Sequence, residues 1–291
     1  MLRWRLLLGT LLIGALVALC WLDYASNRPG LWLAPIAFVL AVAASKEAIW
    51  LLHSKNLRPA AWVVYVGNVL IVASAFLPQL LHSDSHSISQ DACVYLAFAL
   101  TVLAAFIAAM RRYERPGESI LQVALTIFCL AYVGLLLAII VKLRFLLPGS
   151  AGLIPLILLI TVVKLADIGA YTVGRLIGRN KMAPVLSPGK TWEGAAGAIV
   201  FACLGAVLVL NGLYPRLASN AAVVPLWVGL VCGVAIGTAG MIGDLAESLF
   251  KRDMGRKDSS DWLPGFGGVL DIIDSLLLAA PVTYLCWRLL L

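Results

Sequence analysis

The sequence predicts an all-α, polytopic integral membrane protein with about nine transmembrane helices. Three features of its composition support this fold class: 62% of the 291 residues are hydrophobic, only 13% are charged, and the mean hydropathy is +0.97. Soluble domains are roughly half apolar and about a quarter charged. The composition therefore excludes an ordinary soluble globular protein.

Nine apolar runs have lengths close to the roughly 20 residues that a helix needs to cross a bilayer. They lie at about 5–22, 31–52, 60–79, 91–110, 120–142, 151–175, 193–213, 223–244 and 266–288. The first run follows Arg3 and Arg5, as in a signal peptide, but no small-residue cleavage site follows it. We therefore expect the first run to be an uncleaved anchor.

The distribution of Lys and Arg predicts the topology, because cytoplasmic loops are enriched in these residues. With the N-terminus in the cytoplasm, 17 of the 22 Lys and Arg residues lie on the cytoplasmic side. The other five are Arg28, Lys142, Arg144, Arg216 and Arg288. We expect a cytoplasmic N-terminus and an outside C-terminus, with a basic cytoplasmic face suited to anionic lipid headgroups or phosphorylated substrates.

The chain divides into two predicted regions of different character. Residues 1–147 are plain apolar helices, apart from Lys46 and Glu47, which we interpret as marking a helix near the cytoplasmic interface. We interpret this region as a scaffold. Residues 148–291 carry ions and glycines inside the apolar runs, and such ions usually face a polar cavity or a partner. We expect the functional site in this second region.

The sixth run carries a polar stripe of Lys164, Asp167, Tyr171 and Arg175, whose spacing places them on one helix face. Two interpretations are open: an ion pair that holds helices together, or one wall of a substrate cavity facing the cytoplasm.

The loop after this run places Ser187, Gly189, Lys190 and Thr191 directly before a helix, where their donors suit a phosphate. The likeness to a nucleotide-binding P-loop is superficial, because Pro184 stands at the first glycine position and no strand is expected before it. The alternative is a basic loop that only fixes the topology.

Three aspartates in the last two runs predict a divalent metal site. Asp244 ends the eighth run, and Asp271 and Asp274 lie one turn apart in the ninth. Carboxylates in apolar surroundings repel each other unless a cation lies between them, and oxygen ligands suit Mg²⁺ shared with substrate phosphates. The alternative is that Asp271 and Asp274 pair with Lys251 or Arg252.

Glycines precede the aspartates of the ninth run, in the order Pro264-Gly265-Phe266-Gly267-Gly268. A backbone with so little side-chain bulk can be approached closely by a phosphate chain or a nucleotide.

Residues 248–274 resemble the signature of the phosphatidate cytidylyltransferase family, also called CDP-diacylglycerol synthases. The matching residues are Ser248, Lys251, Arg252, Lys257, Asp258, Pro264, Gly265, Gly267, Gly268, Asp271 and Asp274. Similar blocks near 164–167, 187–194 and 243–248 extend the likeness over about 155–291. Phe266 and Ile272 stand where the family usually has His and Arg, which removes two polar groups. Because the three aspartates remain, we favour an active, divergent member.

The resemblance implies transfer of CMP from CTP to phosphatidate at the cytoplasmic face of a bacterial inner membrane. The implied metal is Mg²⁺, with a second cation left open, and its implied ligands are Asp244, Asp271 and Asp274. The implied catalytic residues are those three aspartates with Lys251 and Arg252. The implied substrate-binding residues are Lys164, Asp167, Ser187, Lys190, Thr191, Ser248, Lys257, Gly265, Gly267 and Gly268. We expect anionic lipids but no nucleic acid as partners, and the resemblance leaves a homodimer open.

Two other active functions remain open at this stage. A CTP-dependent polyprenol or phytol kinase has a similar C-terminal region, as far as the resemblance goes. A secondary transporter of an anionic metabolite also holds ions between membrane helices. The positions of the polar clusters toward the predicted cytoplasmic ends, and the lack of an inverted repeat, count against the transporter. A catalytically silent scaffold is the remaining alternative.

Overall fold

The computed structural model describes residues 2–26, 28–81, 90–114, 116–218, 223–260 and 267–291. The described chain is mostly helical and contains one small two-stranded sheet. It forms two compact units. Unit 1 comprises Met1–Leu22, Gly30–Lys142 and Asp253–Ile272, and unit 2 comprises Asp23–Pro29, Leu143–Arg252 and Ile273–Leu291.

The N-terminal part of the chain is a series of long helices. They are α1 (Leu2–Ala25), α2 (Ala34–His53), α3 (Ala61–Leu81), α4 (Gln90–Arg111), α5 (Ser119–Cys129) and α6 (Leu136–Leu143). A π-helical segment, Leu130–Leu135, joins α5 to α6. Pro35 in the first turn of α2 suits a helix start, because its missing N–H is not needed there.

The C-terminal part adds a β-hairpin to its helices. Its elements are α7 (Leu153–Ile177), β1 (Lys181–Ala183), β2 (Ser187–Thr191), α8 (Trp192–Val207), α9 (Tyr214–Leu217), α10 (Leu226–Asp253) and α11 (Leu270–Leu290). Short helical segments at Gly149–Gly152 and Leu208–Leu213 precede α7 and α9. In unit 2, α7 and α8 pack closely, since a Cβ at Gly169 would lie 2.5 Å from the carbonyl oxygen of Gly197.

Seven helical segments in the described part of the chain are long and apolar enough to cross a membrane. They are Ala34–His53, Asp91–Arg111, Ser119–Leu143, Gly149–Ile177, Trp192–Leu217, Leu226–Asp253 and Leu270–Leu290. The apolar stretches Gly9–Ala25 and Ala61–Leu77 are shorter. These helices support the predicted polytopic membrane protein, whereas the number of nine spans stays a prediction.

The structure differs from the sequence-based expectation in two places. The loop near 178–191 forms an antiparallel hairpin in which Lys181 lies opposite Thr191 and Ala183 opposite Ser187. A ribbon this short, with a proline and a glycine in one strand, has no alternating apolar pattern that would predict it. Helix α10, which contains the eighth apolar run, also continues past 244 to Asp253. The apolar run stops at the first polar residues, whereas a helix can continue through them.

Candidate active site

Five charged side chains selected from the sequence converge in unit 2. They are Lys164, Asp167, Lys190, Asp244 and Asp274, and we refer to them as the Asp244 cluster. Lys190 Nζ lies 2.8 Å from Asp244 Oδ2, and Lys164 Nζ lies 3.2 Å from Asp167 Oδ2. Asp167 also interacts electrostatically with Asp244 and Lys190, as Asp274 does with Asp244 and Lys164.

Four different elements bring the Asp244 cluster together. Lys164 and Asp167 lie one turn apart on α7, Lys190 is on β2, Asp244 is on α10 and Asp274 is on α11. Beside the cluster, a Cβ at the residue before Asp244, Gly243, would lie 2.9 Å from the carbonyl oxygen of Asp274. The small-residue face of α10 therefore lets its backbone approach α11, which brings the two carboxylates within range of each other.

The cluster has an accessible rim and a buried floor. The side chains of Lys164 and Asp167 are 43% and 46% exposed, so their ion pair is accessible to solvent. Both interpretations of the pair, as an ion pair that holds helices together and as one wall of a substrate cavity, stay predictions. Asp274 is 6% exposed, and its Oδ1 accepts hydrogen bonds from the backbone N–H and the hydroxyl of Ser275. A buried carboxylate needs such donors, because burial removes its hydration.

The carboxylates of Asp244 and Asp274 have the donor chemistry that suits Mg²⁺, and their assignment as its ligands stays a prediction. Mg²⁺ in phosphate-transfer sites usually takes one or two carboxylates, with phosphates and waters as its other ligands. Among the described residues, no group of three or more His, Cys, Asp or Glu side chains is placed to hold a metal ion. A metal at this pair would thus take its remaining ligands from the substrate and from water.

Asp271 belongs to unit 1, where its carboxylate binds the segment before α11. Its Oδ2 accepts hydrogen bonds from the Ser259 backbone N–H at 2.9 Å, the Ser259 hydroxyl at 2.6 Å and the Gly268 backbone N–H at 2.8 Å. Negative charge is favourable in the first turn of a helix, where backbone N–H groups lack partners. Its assignment as a metal ligand stays a prediction.

Glu47, which the sequence reasoning placed only near the membrane interface, binds the same segment in unit 1. The residue is 3% exposed on α2. Its carboxylate accepts hydrogen bonds from the backbone N–H groups of Val269 at 2.9 Å and Leu270 at 2.7 Å. The Ser260 hydroxyl donates to it at 3.0 Å, and the Ser259 hydroxyl, whose one hydrogen is shared with Asp271, also lies 3.0 Å away. Glu47 therefore caps α11 from a distant part of the chain.

The glycines before α11 make room for these two carboxylates. Gly267 adopts a φ of 82°, in the left-handed region, and a Cβ there would collide with the Asp271 carboxylate. A Cβ at Gly268 would collide with the Glu47 carboxylate and the Ser259 hydroxyl. The structure thus gives both glycines a role inside the protein, while their role toward a substrate stays a prediction. The predicted site residue Gly265, with Pro264 and Phe266, lies outside the described residues.

The β-hairpin places its predicted phosphate-binding residues in different settings. Thr191 is 5% exposed, and its hydroxyl accepts a hydrogen bond from the Gly194 backbone N–H at 3.1 Å. It is therefore the N-cap of α8. Ser187 begins β2 and is partly exposed, and Lys190 joins the Asp244 cluster. Phosphate binding by Ser187 and Thr191 stays a prediction.

The basic residues of the signature lie in three environments. Lys251 pairs with Glu247 one turn earlier on α10, and Glu247 is fully buried. Arg252 Nε donates to the Leu186 carbonyl oxygen at 3.3 Å, which ties the end of α10 to the hairpin turn. Lys257 is exposed in unit 1, and Ser248 is partly exposed on α10.

Comparisons with known proteins give the same family as the signature. The chain matches the model of the cytidylyltransferase family over residues 3–290. It is 31% identical over 255 residues to the phosphatidate cytidylyltransferase of Staphylococcus saprophyticus, which covers 88% of this chain and 89% of that protein. It is 43% identical over 130 residues to the phosphatidate cytidylyltransferase of Haemophilus influenzae, covering 45% of this chain and 44% of that protein.

The phosphatidate cytidylyltransferase of Brucella suis is 43% identical over 134 residues, which is 46% of this chain and 47% of that protein. The predicted resemblance is therefore confirmed. The likeness read from the sequence covered about 155–291, whereas the family match also includes the N-terminal helices. The protein belongs to the cytidylyltransferase family.

Proposed function

We propose that this protein is a phosphatidate cytidylyltransferase, which makes CDP-diacylglycerol and pyrophosphate from CTP and phosphatidate. The observation that carries the proposal is the Asp244 cluster. It combines two lysines and three aspartates where a membrane helix bundle meets a polar hairpin. Similarity to relatives with this name over 88% of the chain supports the same activity.

The reaction proposed for the site is an in-line displacement at phosphorus. A phosphate oxygen of phosphatidate forms a bond to the α-phosphorus of CTP, and the bond to the bridging oxygen of the β-phosphate breaks. Pyrophosphate leaves with that electron pair. Phosphatidate is already anionic near neutral pH, so the attacking oxygen needs no strong base. Positioning and electrostatic stabilisation therefore account for most of the catalysis.

The residues of the Asp244 cluster have separate proposed roles in binding the metal and the nucleotide. Asp244 and Asp274 would hold Mg²⁺, which neutralises charge on the phosphates when it is bound. Without substrate, the Lys190 ammonium is paired with Asp244. A triphosphate competes for this ammonium, since phosphate oxygens are strong acceptors for it. Binding of CTP then moves Lys190 from Asp244 to the nucleotide and frees the carboxylate.

The proposal includes a topology and a location. Nine spans with a cytoplasmic N-terminus and an outside C-terminus would explain the strong bias of Lys and Arg toward one side. This topology places the site on the cytoplasmic face of a bacterial inner membrane, where CTP is available. Anionic lipids and a homodimer belong to the same proposal as partners in the membrane.

Labelled CTP separates the proposed function from its alternatives. Purified full-length protein is incubated with magnesium, with phosphatidate, polyprenol or phytol in separate reactions, and with CTP that carries the label on either its α- or its γ-phosphate. We expect only the α-label to enter the lipid, and Asp274→Asn to remove this incorporation. Transfer of the γ-label to polyprenol or phytol would instead identify a kinase. Transfer of neither label to any of these lipids would favour a silent scaffold.

A further inference from the structure

A basic pocket of about 660 Å³ lies at the ends of three helices in unit 1. Its lining residues are His53, Asn56, Arg58, Pro59, Ala61, Trp62 and Arg112. They come from the end of α2, the segment that connects α2 to α3, the start of α3 and the residue after α4. The charged groups are thus two arginines with a nearby histidine, and the described lining contains no acidic side chain to neutralise them.

The backbone around Arg58 holds the pocket in shape. The N–H of Ala60 donates to the Thr126 hydroxyl at 2.9 Å, which fixes the segment before α3 onto α5. Pro59 restricts the same segment further, because its ring fixes φ. On the other side of Arg58, Asn56 adopts a φ of 58°, a left-handed conformation that Asn tolerates better than most residues.

Both arginines are available to an anion. In the part of the chain that the structure describes, the side chains of Arg58 and Arg112 form no hydrogen bond and no ion pair, and both residues are exposed. A guanidinium group presents a planar set of donors that matches the oxygens of a phosphate. The pocket therefore offers two such groups to one phosphate-sized ligand.

An apolar groove of about 520 Å³ runs between α3 and α4 and shares Trp62 with the basic pocket. Its lining includes Val66 and Leu70 on α3 and Ala97 and Leu100 on α4. The groove extends along α3 from Trp62 to Leu77. At 1.5 Å per residue this is about 22 Å, longer than one leaflet of a hydrocarbon core about 30 Å thick.

We propose that the pocket and the groove together bind one anionic phospholipid. Its phosphate lies between Arg58 and Arg112, and one acyl chain follows the α3–α4 groove. Trp62, at the junction, has the amphipathic side chain that is typical of the boundary between headgroups and acyl chains. The two arginines favour a phospholipid over a helix from a second copy, because an apolar helix offers them no counter-charge. None of these residues belongs to the Asp244 cluster.

The proposed topology places this end of α3 at the cytoplasmic leaflet, where anionic lipids attract basic side chains. We expect each arginine to contribute about five-fold to the affinity, the size expected for one basic residue at an anionic lipid surface. The effect depends on the headgroup charge, so a zwitterionic lipid with the same chains should bind more weakly.

Native mass spectrometry of the full-length protein in detergent tests this proposal by counting bound lipids. The protein is titrated with phosphatidylglycerol and with phosphatidylcholine of the same acyl chains. We expect tighter binding of phosphatidylglycerol, and a loss of about five-fold in Arg58→Gln and in Arg112→Gln. The matched control is Arg111→Gln, which removes the same charge from a neighbouring residue outside the pocket. Its phosphatidylglycerol affinity should equal that of the unmodified protein.

The groove is tested separately. Ala97→Trp fills it and should weaken lipid binding, whereas Ala99→Trp adds the same bulk at an exposed position of α4 outside the groove and should not. The circular dichroism spectrum and the thermal midpoint of each variant show whether it is folded. If Ala97→Trp does not fold, the smaller Ala97→Leu takes its place in the comparison.

Three results would overturn the proposal. An equal loss in Arg111→Gln would mean diffuse surface charge rather than a site. Displacement of the lipid by inorganic phosphate at equal concentration would mean that the pocket binds free phosphate. Reduced self-association in Ala97→Trp with unchanged lipid binding would mean that the groove contacts a second copy. Because the readout is bound lipid, none of these results depends on whether the protein transfers CMP.

Discussion

The ammonium group of Lys190 lies 2.8 Å from the carboxylate of Asp244, joining the strand before α8 to membrane helix α10. The two side chains are 20% and 40% exposed, so a ligand can reach the pair. Both groups have a use in phosphate chemistry, one as a cation for the nucleotide and the other as a ligand for a metal. In the proposed function, a bound triphosphate would compete with Asp244 for the Lys190 ammonium and so separate the pair.

Substitution of each partner should affect catalysis in a different way. Asp244→Asn keeps the size of the side chain but removes the charge that would hold the metal, and we expect kcat to fall by about 100-fold or more. Lys190→Gln removes a charged donor to the nucleotide, and we expect the KM for CTP to rise by about 10-fold or more. Steady-state transfer of the α-label from CTP to lipid measures both constants.

The control for Lys190 is Lys181→Gln, at an exposed position on the other strand of the hairpin. It removes the same charge and should leave the KM for CTP unchanged. Lys190→Arg should recover part of the loss, because it restores a cation. A rise in KM of the same size in Lys181→Gln would show that the hairpin acts through its overall charge rather than through Lys190.

Replacement of Glu47 should loosen the start of α11. Glu47→Ala leaves the backbone N–H groups of Val269 and Leu270 without their acceptor, in a region that is buried. We expect a loss of about 2–4 kcal/mol in unfolding free energy, since the lost hydrogen bonds involve a charged group. Thermal unfolding in detergent reports the loss of stability, and limited proteolysis between α10 and α11 reports local opening.

Glu118→Ala is the matched control, because Glu118 is exposed and its side chain makes no capping hydrogen bond at the start of α5. It should unfold at the same temperature as the unmodified protein. Glu47→Gln should lie between the two, because an amide keeps one acceptor oxygen. If Glu47→Ala unfolds like the control and resists protease equally, the cap does not stabilise α11.

The sequence predicts the helices well because a long apolar run has few alternatives in lipid other than a helix. It also selects four residues of the Asp244 cluster, since ions inside or at the ends of apolar runs are conspicuous, and it selects Lys190 as a donor directly before a helix. It does not give their partners. Glu47 and Leu270 are 223 positions apart, and no local pattern connects them. The position of Asp271 in the first turn of α11 is a local signal for helix capping, and its role as a metal ligand stays a prediction.

The two glycines before α11 should be sensitive to the smallest substitution. Gly268→Ala brings a methyl group against the Glu47 carboxylate and the Ser259 hydroxyl, both of which are held by other hydrogen bonds. Gly267→Ala is strained as well, because φ is 82°. We expect each variant to lose about 1–3 kcal/mol of stability, measured as a lower midpoint of thermal unfolding.

Gly14→Ala is the control for these variants, because a Cβ at Gly14 has nothing within 4 Å and the residue lies in α1. Alanine is the better helix former, so this variant should be at least as stable as the unmodified protein. Unchanged midpoints in Gly267→Ala and Gly268→Ala would mean that the segment before α11 can move away from both carboxylates.

A buried ion pair in unit 2 should lose more stability when one partner is replaced than when both are replaced. Arg144 Nε lies 2.6 Å from Asp23 Oδ2, and the two residues are 2% and 1% exposed. The Arg144 guanidinium also donates to the Gly149 carbonyl oxygen at 2.9 Å. Arg144→Met leaves a buried carboxylate without its cation, and we expect a loss of about 3–5 kcal/mol.

The double variant Asp23→Leu with Arg144→Met removes both charges and keeps apolar volume, so it should recover much of this loss. Chemical unfolding in detergent of the unmodified protein, the two single variants and the double variant gives the coupling energy between the residues. If the losses of the single variants simply add in the double variant, the two charges do not stabilise each other, and their proximity reflects packing of the surrounding helices alone.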